Sequence, residues 1–243
     1  MSRQPVRMTA RSVVLSVLLG AHPAWATAAE LIRLTEDFGI NENALRVALT
    51  RMVGTGDLVR SADGYRLSDR LLLRQRRQDE ALSPKLRTWD GTWTTLVITS
   101  VGIDARARAS LRKALQQARF GELREGVWLR PDNLAFELPD EIVARVRVLT
   151  SVDAAPADLV AALWDLPAWN AAGRRLLDEM AAADGVPGRF VAAAAAVRLL
   201  STDPLLPEEL LPPGWPGGEL RAGYQEFAAE LTGRRDHAEV EAS

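Results

Sequence analysis

The order of elements predicted in the first third of the chain constrains the fold more than any other feature. Apolar residues recur at helical spacing over residues 9–19, which predicts a first helix. Thr27 and Glu30 form the capping-box pattern that begins a second helix. Gly39 is typical of the end of that helix, and Asn41 is a suitable N-cap for a third. The sequence therefore predicts three helices, with a very short turn between the last two.

The third predicted helix, residues 41–53, has two chemically different faces. One face is apolar and carries Leu45, Ala48, Leu49, Met52 and Val53. The other face carries Asn43, Arg46, Val47 and Thr50, with Arg51 on its flank. In the major groove, arginine pairs with guanine and asparagine with adenine through two hydrogen bonds each. We therefore predict DNA contacts for Asn41 and for these outward residues; a solvated polar face is the alternative.

A β-hairpin is predicted directly after the third helix. Two short strands, Leu58–Arg60 and Tyr65–Leu67, flank an Asp-Gly turn. Three helices followed by a hairpin are typical of a winged helix-turn-helix, in which Arg60 and Arg66 would contact phosphates. A further helix from Ser68 carries Arg70, Arg74, Arg76 and Arg77, which either contact the DNA backbone or face solvent.

Charge is distributed unevenly along the chain, whose formal net charge is -2. Residues 1–88 hold 14 Arg and Lys against 9 Asp and Glu, a net charge of +5, whereas residues 89–243 hold 16 against 23, a net charge of -7. This asymmetry is typical of a DNA-reading domain joined to an acidic body, although a chance fluctuation of a few charges also produces it. The chain has no cysteine and two histidines, so we predict no disulfide, metal site or cofactor.

The amino terminus has a second interpretation, as a secretory signal. The apolar residues 13–19 follow three basic residues, Arg3, Arg7 and Arg11, and the later Ala26-Thr27-Ala28 resembles a signal peptidase site. The apolar stretch is short and fits the first helix, so we expect a cytoplasmic protein. No stretch approaches the roughly 20 apolar residues of a transmembrane helix, so no membrane association is expected.

The rest of the chain predicts two further domains. Strands are predicted at residues 93–100, 126–130 and 143–150, with a helix at residues 104–118, a pattern typical of a ferredoxin-like α+β sandwich. Its second helix is expected to be short or missing, because residues 133–142 contain Pro139. From Pro156 the chain is predicted to be helical, with proline-rich interruptions.

We therefore predict an α+β protein of three domains. They are a winged helix-turn-helix at residues 1–86, a ferredoxin-like domain at residues 87–152 and a helical carboxyl-terminal domain at residues 153–243.

Catalytic chemistry finds no support in these residues. Ferredoxin-like domains occur in metal-dependent nucleases, which need carboxylates at a strand end to bind the cation. The first predicted strand ends without an acid, and Asp104 is better suited to cap the following helix. His22 and His237 lie in the DNA-binding domain and in the tail, so a hydrolase triad is not credible. We predict no catalytic residue; a nuclease, or an adaptor protein that has lost DNA binding, are the alternatives.

Aromatic and basic residues in the last third point to a candidate effector site. Three tryptophans, Trp164, Trp169 and Trp215, are candidates to line a pocket for a flat aromatic group, with ordinary core packing as the alternative. A ligand that bears phosphates would also need cations, for which Arg174, Arg175 and Arg198 are candidates.

Three stretches carry a family resemblance. The first reads FGIN at 38–41 with ALRVALTRMV at 44–53. The second reads WDGTW at 89–93, with FGEL at 120–123 and GVWLRP at 126–131. The third reads DPLLPEELLP at 203–212, with WPG at 215–217. In these stretches the chain resembles the PaaX-type repressors, a family named after the phenylacetate-degradation repressor. The stretches occur in the family's order and span nearly the whole chain.

The resemblance implies a homodimer on a palindromic operator, with the recognition helix at residues 41–53 and the wing at residues 58–67. It also implies repression of a catabolic operon that is relieved by an aryl-coenzyme A thioester such as phenylacetyl-coenzyme A. Two departures bear on the effector. Residues 194–198 keep one arginine where relatives often carry His-Glu and Tyr-Arg-Arg, and the segment after Pro131 is short.

Overall fold

The structure, a computed structural model, describes residues 8–100, 102 and 104–240, with side chains described up to residue 233. Arg3 and Arg7, which the secretory interpretation uses, lie outside the described residues. The described residues form two compact units. The first contains residues 8–82, 176–198 and 219–240, and the second contains residues 83–175 and 199–218. Each unit therefore combines segments that are distant in sequence.

The first unit begins with helices and a small sheet. Its amino-terminal elements are α1 (Ala10–Gly20), β1 (Trp25–Ala26), α2 (Ala28–Glu36), α3 (Glu42–Gly54), β2 (Leu58–Arg60), β3 (Tyr65–Leu67) and α4 (Asp69–Leu82). The strands form an antiparallel sheet in the order β1-β3-β2. Three helices followed by a hairpin form the predicted winged helix-turn-helix, to which β1 adds a third strand that the sequence did not predict.

Side-chain caps define the starts of α2 and α3. The Thr27 hydroxyl accepts a hydrogen bond from the Glu30 N–H at 3.1 Å, and the Glu30 carboxylate accepts one from the Thr27 N–H at 2.6 Å. The Asn41 side-chain oxygen accepts from the Ala44 N–H at 2.8 Å. These bonds satisfy backbone donors that the first helical turn leaves free. The predicted capping box and N-cap are confirmed.

The core of the winged helix lies between its first three helices. The buried residues include Val13, Val14 and Leu18 of α1, Leu31 of α2, and Leu45, Leu49 and Met52 of α3. Burying one such side chain contributes about 1.5–3 kcal/mol. The packing uses one side of α3, so the opposite side is left to solvent.

A buried carboxylate joins the amino-terminal helix to the hairpin. Asp57, whose side chain is 4% exposed, accepts hydrogen bonds from Arg11 at 2.9 Å and from Arg70 at 2.5 Å. Burial raises the pKa of Asp57, but the hydrogen bonds and charges of Arg11 and Arg70 outweigh it, so the pKa lies below the ordinary value of 3.8. The ionised carboxylate therefore stabilises the folded domain.

We expect Asp57→Asn to lower the free energy of unfolding by about 1–2 kcal/mol at pH 7, because it weakens two charge-assisted hydrogen bonds. The pKa is lower in the folded than in the unfolded chain, so this contribution is complete well above pH 3.8 and is lost as pH falls through the folded-state value. Urea unfolding followed by circular dichroism at pH 7 and pH 3 measures the loss of stability and its dependence on pH. Asp69→Asn, at a side chain 97% exposed, is the control. An undiminished difference at pH 3 would contradict this assignment.

The second unit contains a four-stranded antiparallel sheet. Its elements are β4 (Thr92–Ile98), α5 (Ala105–Gln117), β5 (Gly121–Arg124), β6 (Val127–Pro131), α6 (Asp140–Val143) and β7 (Val146–Val152). The strands lie in the order β5-β6-β4-β7. A β-α-β-β-α-β sequence with the first strand between the third and the fourth is the ferredoxin-like arrangement, as predicted. The second helix, α6, is only four residues long.

The last third of the chain is helical. It contains α7 (Pro156–Leu163), α8 (Leu166–Ala181), α9 (Gly185–Leu200), a short 3₁₀ helix (Glu208–Leu210) and α10 (Gly217–Val240). In the first unit, Arg221 of α10 donates to the Ala81 carbonyl at the end of α4, at 2.9 Å. In the second unit, Leu206 of the proline-rich segment packs with Trp93 of β4. The domain boundaries at residues 86/87 and 152/153 stay a prediction. None of the described helices is long and apolar enough to cross a membrane.

A buried arginine connects parts of the second unit. Arg130 on β6 is 1% exposed, and its guanidinium donates to the carbonyls of Ala118 and Pro131 and to the Asn133 side chain, at 3.0, 3.2 and 3.3 Å. Asn133 in turn donates to the Leu205 carbonyl at 2.9 Å. Burial lowers the pKa of Arg130 to about 10, so the group is still charged at neutral pH. No pattern in the sequence predicted this role for Arg130.

Candidate nucleic-acid interface

Helix α3 presents an exposed face that is polar and basic. Its exposed side chains include Asn43, Arg46, Val47, Thr50 and Arg51, which we call the reading face. Val47 is 51% exposed, so its methyl groups are accessible from outside the domain. Helical periodicity predicted the first four to lie opposite the buried residues and Arg51 to lie on the flank of that face, and all five are exposed in the structure. A face of this composition is suited to base edges and to the thymine methyl group.

Local hydrogen bonds already engage part of the reading face. Arg46 donates from Nε to Glu42 Oε1 at 2.7 Å, one turn earlier in α3, and its Nη2 lies 2.5 Å from the same oxygen. The Thr50 hydroxyl donates to the Arg46 carbonyl at 2.9 Å. The Asn41 oxygen is occupied as the helix cap, although its amide N–H groups stay available. Arg46 therefore has to release Glu42 before it can offer Nε and Nη2 together to a base.

Two other reading-face residues have no such local partner. Neither Asn43 nor Arg51 forms a side-chain hydrogen bond or ion pair with any residue that the structure describes. Both therefore can bind an external acceptor without first breaking a side-chain contact.

The hairpin arginines lie on opposite faces of the small sheet. In the β2–β3 register, Arg60 is opposite Tyr65 and Arg66 is opposite Val59. Because side chains alternate along a strand, Arg60 shares a face with the buried Leu58, and Arg66 lies on the other face. Both arginines are exposed. Arg66 also lies 3.9 Å from Asp69. A single flat surface on one side of this sheet therefore cannot contact both arginines.

The hairpin turn is tightly packed. A Cβ added to Gly64 would lie 2.4 Å from the Ala26 carbonyl oxygen, so only glycine fits beside β1. Ser61 donates its N–H to the Gly64 carbonyl at 2.9 Å, and its hydroxyl accepts from the Gly64 N–H at 3.2 Å. The local geometry holds the hairpin in a defined position on β1.

The basic residues of α4 differ in their contacts. Arg70 is committed to the buried Asp57, whereas Arg74, Arg76 and Arg77 are exposed. The two interpretations of the latter, contact with a DNA backbone or solvation, both stay open.

The predicted effector residues are divided between the two units. In the second unit, the rings of Trp169 and Trp215 stack with centroids 4.3 Å apart, and Trp169 donates to the Thr202 hydroxyl at 3.1 Å. Arg174 donates to the Gly214 carbonyl beside this stack. Of the others in this unit, Trp164 belongs to the apolar cluster around Trp93 and Arg175 is exposed. Arg198 belongs to the first unit, where it lines a cleft.

Among the described residues, no group of three or more His, Cys, Asp or Glu side chains is placed to hold a metal ion. Asp104 caps α5, accepting from the Ala107 N–H at 2.7 Å, as its position in the sequence indicated.

Three family profiles match the chain, one after another. Residues 9–71 match the profile described as PaaX-like protein, residues 86–163 the PaaX protein central Cas2-like domain, and residues 164–239 the PaaX-like protein C-terminal domain. Together they cover most of the described residues, including α3 and the ferredoxin-like sheet.

The chain is also similar to individual proteins. Over 222 residues the chain is 28% identical to the transcriptional repressor PaaX of Escherichia coli (strain K12), covering 79% of this chain and 69% of that protein. It is 67% identical to a protein of solved structure, the uncharacterized protein Rv0674 from Mycobacterium tuberculosis, with a TM-score of 0.85 and coverage of 95% of this chain and 99% of that one. The resemblance inferred from the sequence is confirmed, and the chain belongs to the PaaX family of transcriptional regulators.

Proposed function

We propose that the protein is a sequence-specific DNA-binding repressor that reads bases with α3. The observation that carries the proposal is the reading face, an exposed strip of Asn, Arg, Val and Thr on the third helix of a winged helix-turn-helix. The relative in Escherichia coli is a transcriptional repressor, which supports the same role here. Such a protein acts where the DNA is, so we propose a cytoplasmic location, and its function needs no catalytic residue.

In the proposed complex, α3 contacts the bases and the hairpin contacts the phosphates. α3 enters the major groove, where Arg46 and Asn43 hydrogen-bond base edges and Val47 contacts a thymine methyl group. Arg66 and Arg60 contact phosphates, each from its own face of the hairpin. Arg46 gives up Glu42 as it binds. The i,i+4 ion pair between them is worth only about 0.3–0.5 kcal/mol, so the exchange costs little.

We further propose that the repressor binds a palindromic operator as a homodimer, which places two α3 helices about 34 Å apart in successive major grooves. The edge strand β7 supports self-association. It pairs with β4 on one side, and in the described chain no strand pairs with its other side. Val148, Leu149 and Val152 on this strand are exposed. An unpaired apolar edge strand is a ready template for a second copy.

We expect Val148→Lys to weaken dimerisation by about tenfold or more, because a lysine on an edge strand opposes strand pairing. Sedimentation equilibrium measures the change in the dimer dissociation constant. Val143→Lys is the matched control, since Val143 on α6 is 51% exposed and Val148 is 53% exposed. An equal effect of the two substitutions would argue against β7 as the interface.

The experiment that tests the proposed function is a binding titration by fluorescence anisotropy with DNA from upstream of the protein's own gene. We expect at least about a thousandfold preference over random DNA of equal length. Affinity should fall steeply with salt, because each neutralised phosphate releases counterions. Weak binding that is equal on both DNAs would favour the adaptor function instead.

A further inference from the structure

The first unit contains a cleft that the proposed DNA contact does not use. It lies between α1, α4, α9 and α10 and has a volume of about 100 Å³, and we call it the helical cleft. Apolar side chains form its walls, among them Val17, Phe190, Phe227 and Leu231. Gly20, Ala193, Ala194 and Ala228 line it without filling it. Apolar cavities of about 150 Å³ hold a benzene-sized molecule, so this space fits a short hydrocarbon group.

The charged residues that line the helical cleft are all basic. Arg74 of α4 and Arg198 of α9 are exposed, and neither forms a hydrogen bond or ion pair with a residue that the structure describes. No described lining residue is acidic. Two guanidinium groups beside an apolar space, without a partner among the described residues, are suited to the carboxylate of a partly apolar ligand.

A neutral donor also lines the cleft. The Gln78 amide donates to the Tyr224 hydroxyl at 3.5 Å and to the Leu19 carbonyl at 3.3 Å. Burial raises the pKa of Tyr224, so the phenol stays protonated at neutral pH and keeps an O–H to donate. A ligand carboxylate has several acceptor positions, and Tyr224 offers one donor in addition to the two arginines.

The helical cleft connects by direct packing to the turn that precedes α3. Phe190, in the cleft wall, makes an edge-to-face contact with Phe38 at 4.9 Å between ring centroids and a second one with Phe227 at 6.1 Å. Phe38 is followed directly by Gly39, whose φ of 66° allows the sharp entry into α3. A ligand that moves Phe190 therefore acts on the residues that set the position of the reading face.

We propose that the helical cleft binds a small amphipathic organic acid, with its hydrocarbon group between Phe190 and Phe227 and its carboxylate on Arg74 and Arg198, and that this binding weakens the hold of α3 on DNA. At about 100 Å³, two-thirds of the volume that holds benzene, the cleft limits the hydrocarbon group to about four carbon atoms. The regulatory part rests on the proposed function, whereas the binding part does not.

Calorimetric titration of the full chain tests the binding part, with butanoate and pentanoate as probes and butanol and pentanol as uncharged counterparts. We expect the acids to bind at least about tenfold more tightly than the alcohols, and Arg198→Gln to remove that preference. Ala228→Phe fills the cleft and should abolish acid binding, whereas Ala229→Phe, at the next and exposed position, should not. The proposed site would be wrong if acid and alcohol bound with equal affinity, or if only coenzyme A thioesters bound. It would also be wrong if Arg198→Gln and Ala228→Phe both left acid binding unchanged.

Anisotropy titration with DNA tests the regulatory part separately. Saturating acid should weaken operator binding by about tenfold, within the usual range of allosteric coupling. The Arg198→Gln variant should bind DNA normally, and the acid should leave its affinity for DNA unchanged. If acid binds and DNA binding is unaffected, the regulatory inference is wrong and the site stands. If the chain binds acid but no DNA, the proposed function fails instead, so the two failures are distinguishable.

Discussion

Replacing Arg130 by alanine is expected to destabilise the second unit by about 3–5 kcal/mol, above the roughly 1–2 kcal/mol expected for Asp57→Asn. The guanidinium supplies the hydrogen-bond donors for the buried carbonyl of Pro131 and the side chain of Asn133, and without it these acceptors lose a partner. The group also lies 5.8 and 6.0 Å from the ring centroids of Phe120 and Phe136, so the substitution removes cation–π contacts and leaves a cavity.

Tryptophan fluorescence during urea unfolding measures this effect. Six of the seven tryptophans belong to the second unit, so the signal reports on the part of the chain that Arg130 holds together. Arg124→Ala is the matched control, because Arg124 on the neighbouring strand β5 is exposed and should cost less than about 0.5 kcal/mol. A loss for Arg130→Ala no greater than that of the control would show that its hydrogen bonds contribute little.

The second large effect concerns base recognition. Arg46→Ala is expected to weaken binding to the operator by about 1–3 kcal/mol, or about 5- to 150-fold, because a bidentate arginine–guanine contact is lost. Binding to random DNA should change far less.

Anisotropy titrations with operator and random DNA at one salt concentration separate the two kinds of contact. Arg106→Ala on α5 is the control, because it removes the same charge from an exposed position in the other unit. Equal losses on operator and random DNA would mean that Arg46 contacts a phosphate and not a base.

Local sequence determined several elements well enough to predict them. The capping box at Thr27 and Glu30 and the N-cap at Asn41 involve residues three apart, and the Asp-Gly turn sets its own hairpin. The reading face follows from helical periodicity alone. These features depend on neighbours within one or two turns, so the sequence carries their signal directly.

Features that depend on distant partners were not predictable in the same way. The two-residue strand β1 exists because Trp25 and Ala26 pair with β3, about forty residues later. In the sequence, Asp57 has the position of an ordinary loop carboxylate. Only the fold brings Arg11 and Arg70 into contact with it. Arg130 looks like a surface residue of a strand.

The candidate sites show the same division. The register of β2 and β3 separates Arg60 from Arg66, although both were predicted as phosphate contacts. Arg198 is predicted, as a cation for a phosphate-bearing effector, to share a site with Trp169 and Trp215, whereas the packing of α9 puts it in the helical cleft of the first unit. Neither arrangement has a local signal, because both are set by tertiary packing.

Protection of guanine N7 from methylation by dimethyl sulfate tests the central claim most directly, since N7 is exposed only in the major groove. With the protein bound upstream of its own gene, we expect protected guanines in two half-sites about ten base pairs apart, and selective loss of protection at one guanine in each half-site with Arg46→Ala. Tight, specific binding with no protected guanine, or a pattern that Arg46→Ala leaves unchanged, would contradict base reading by α3.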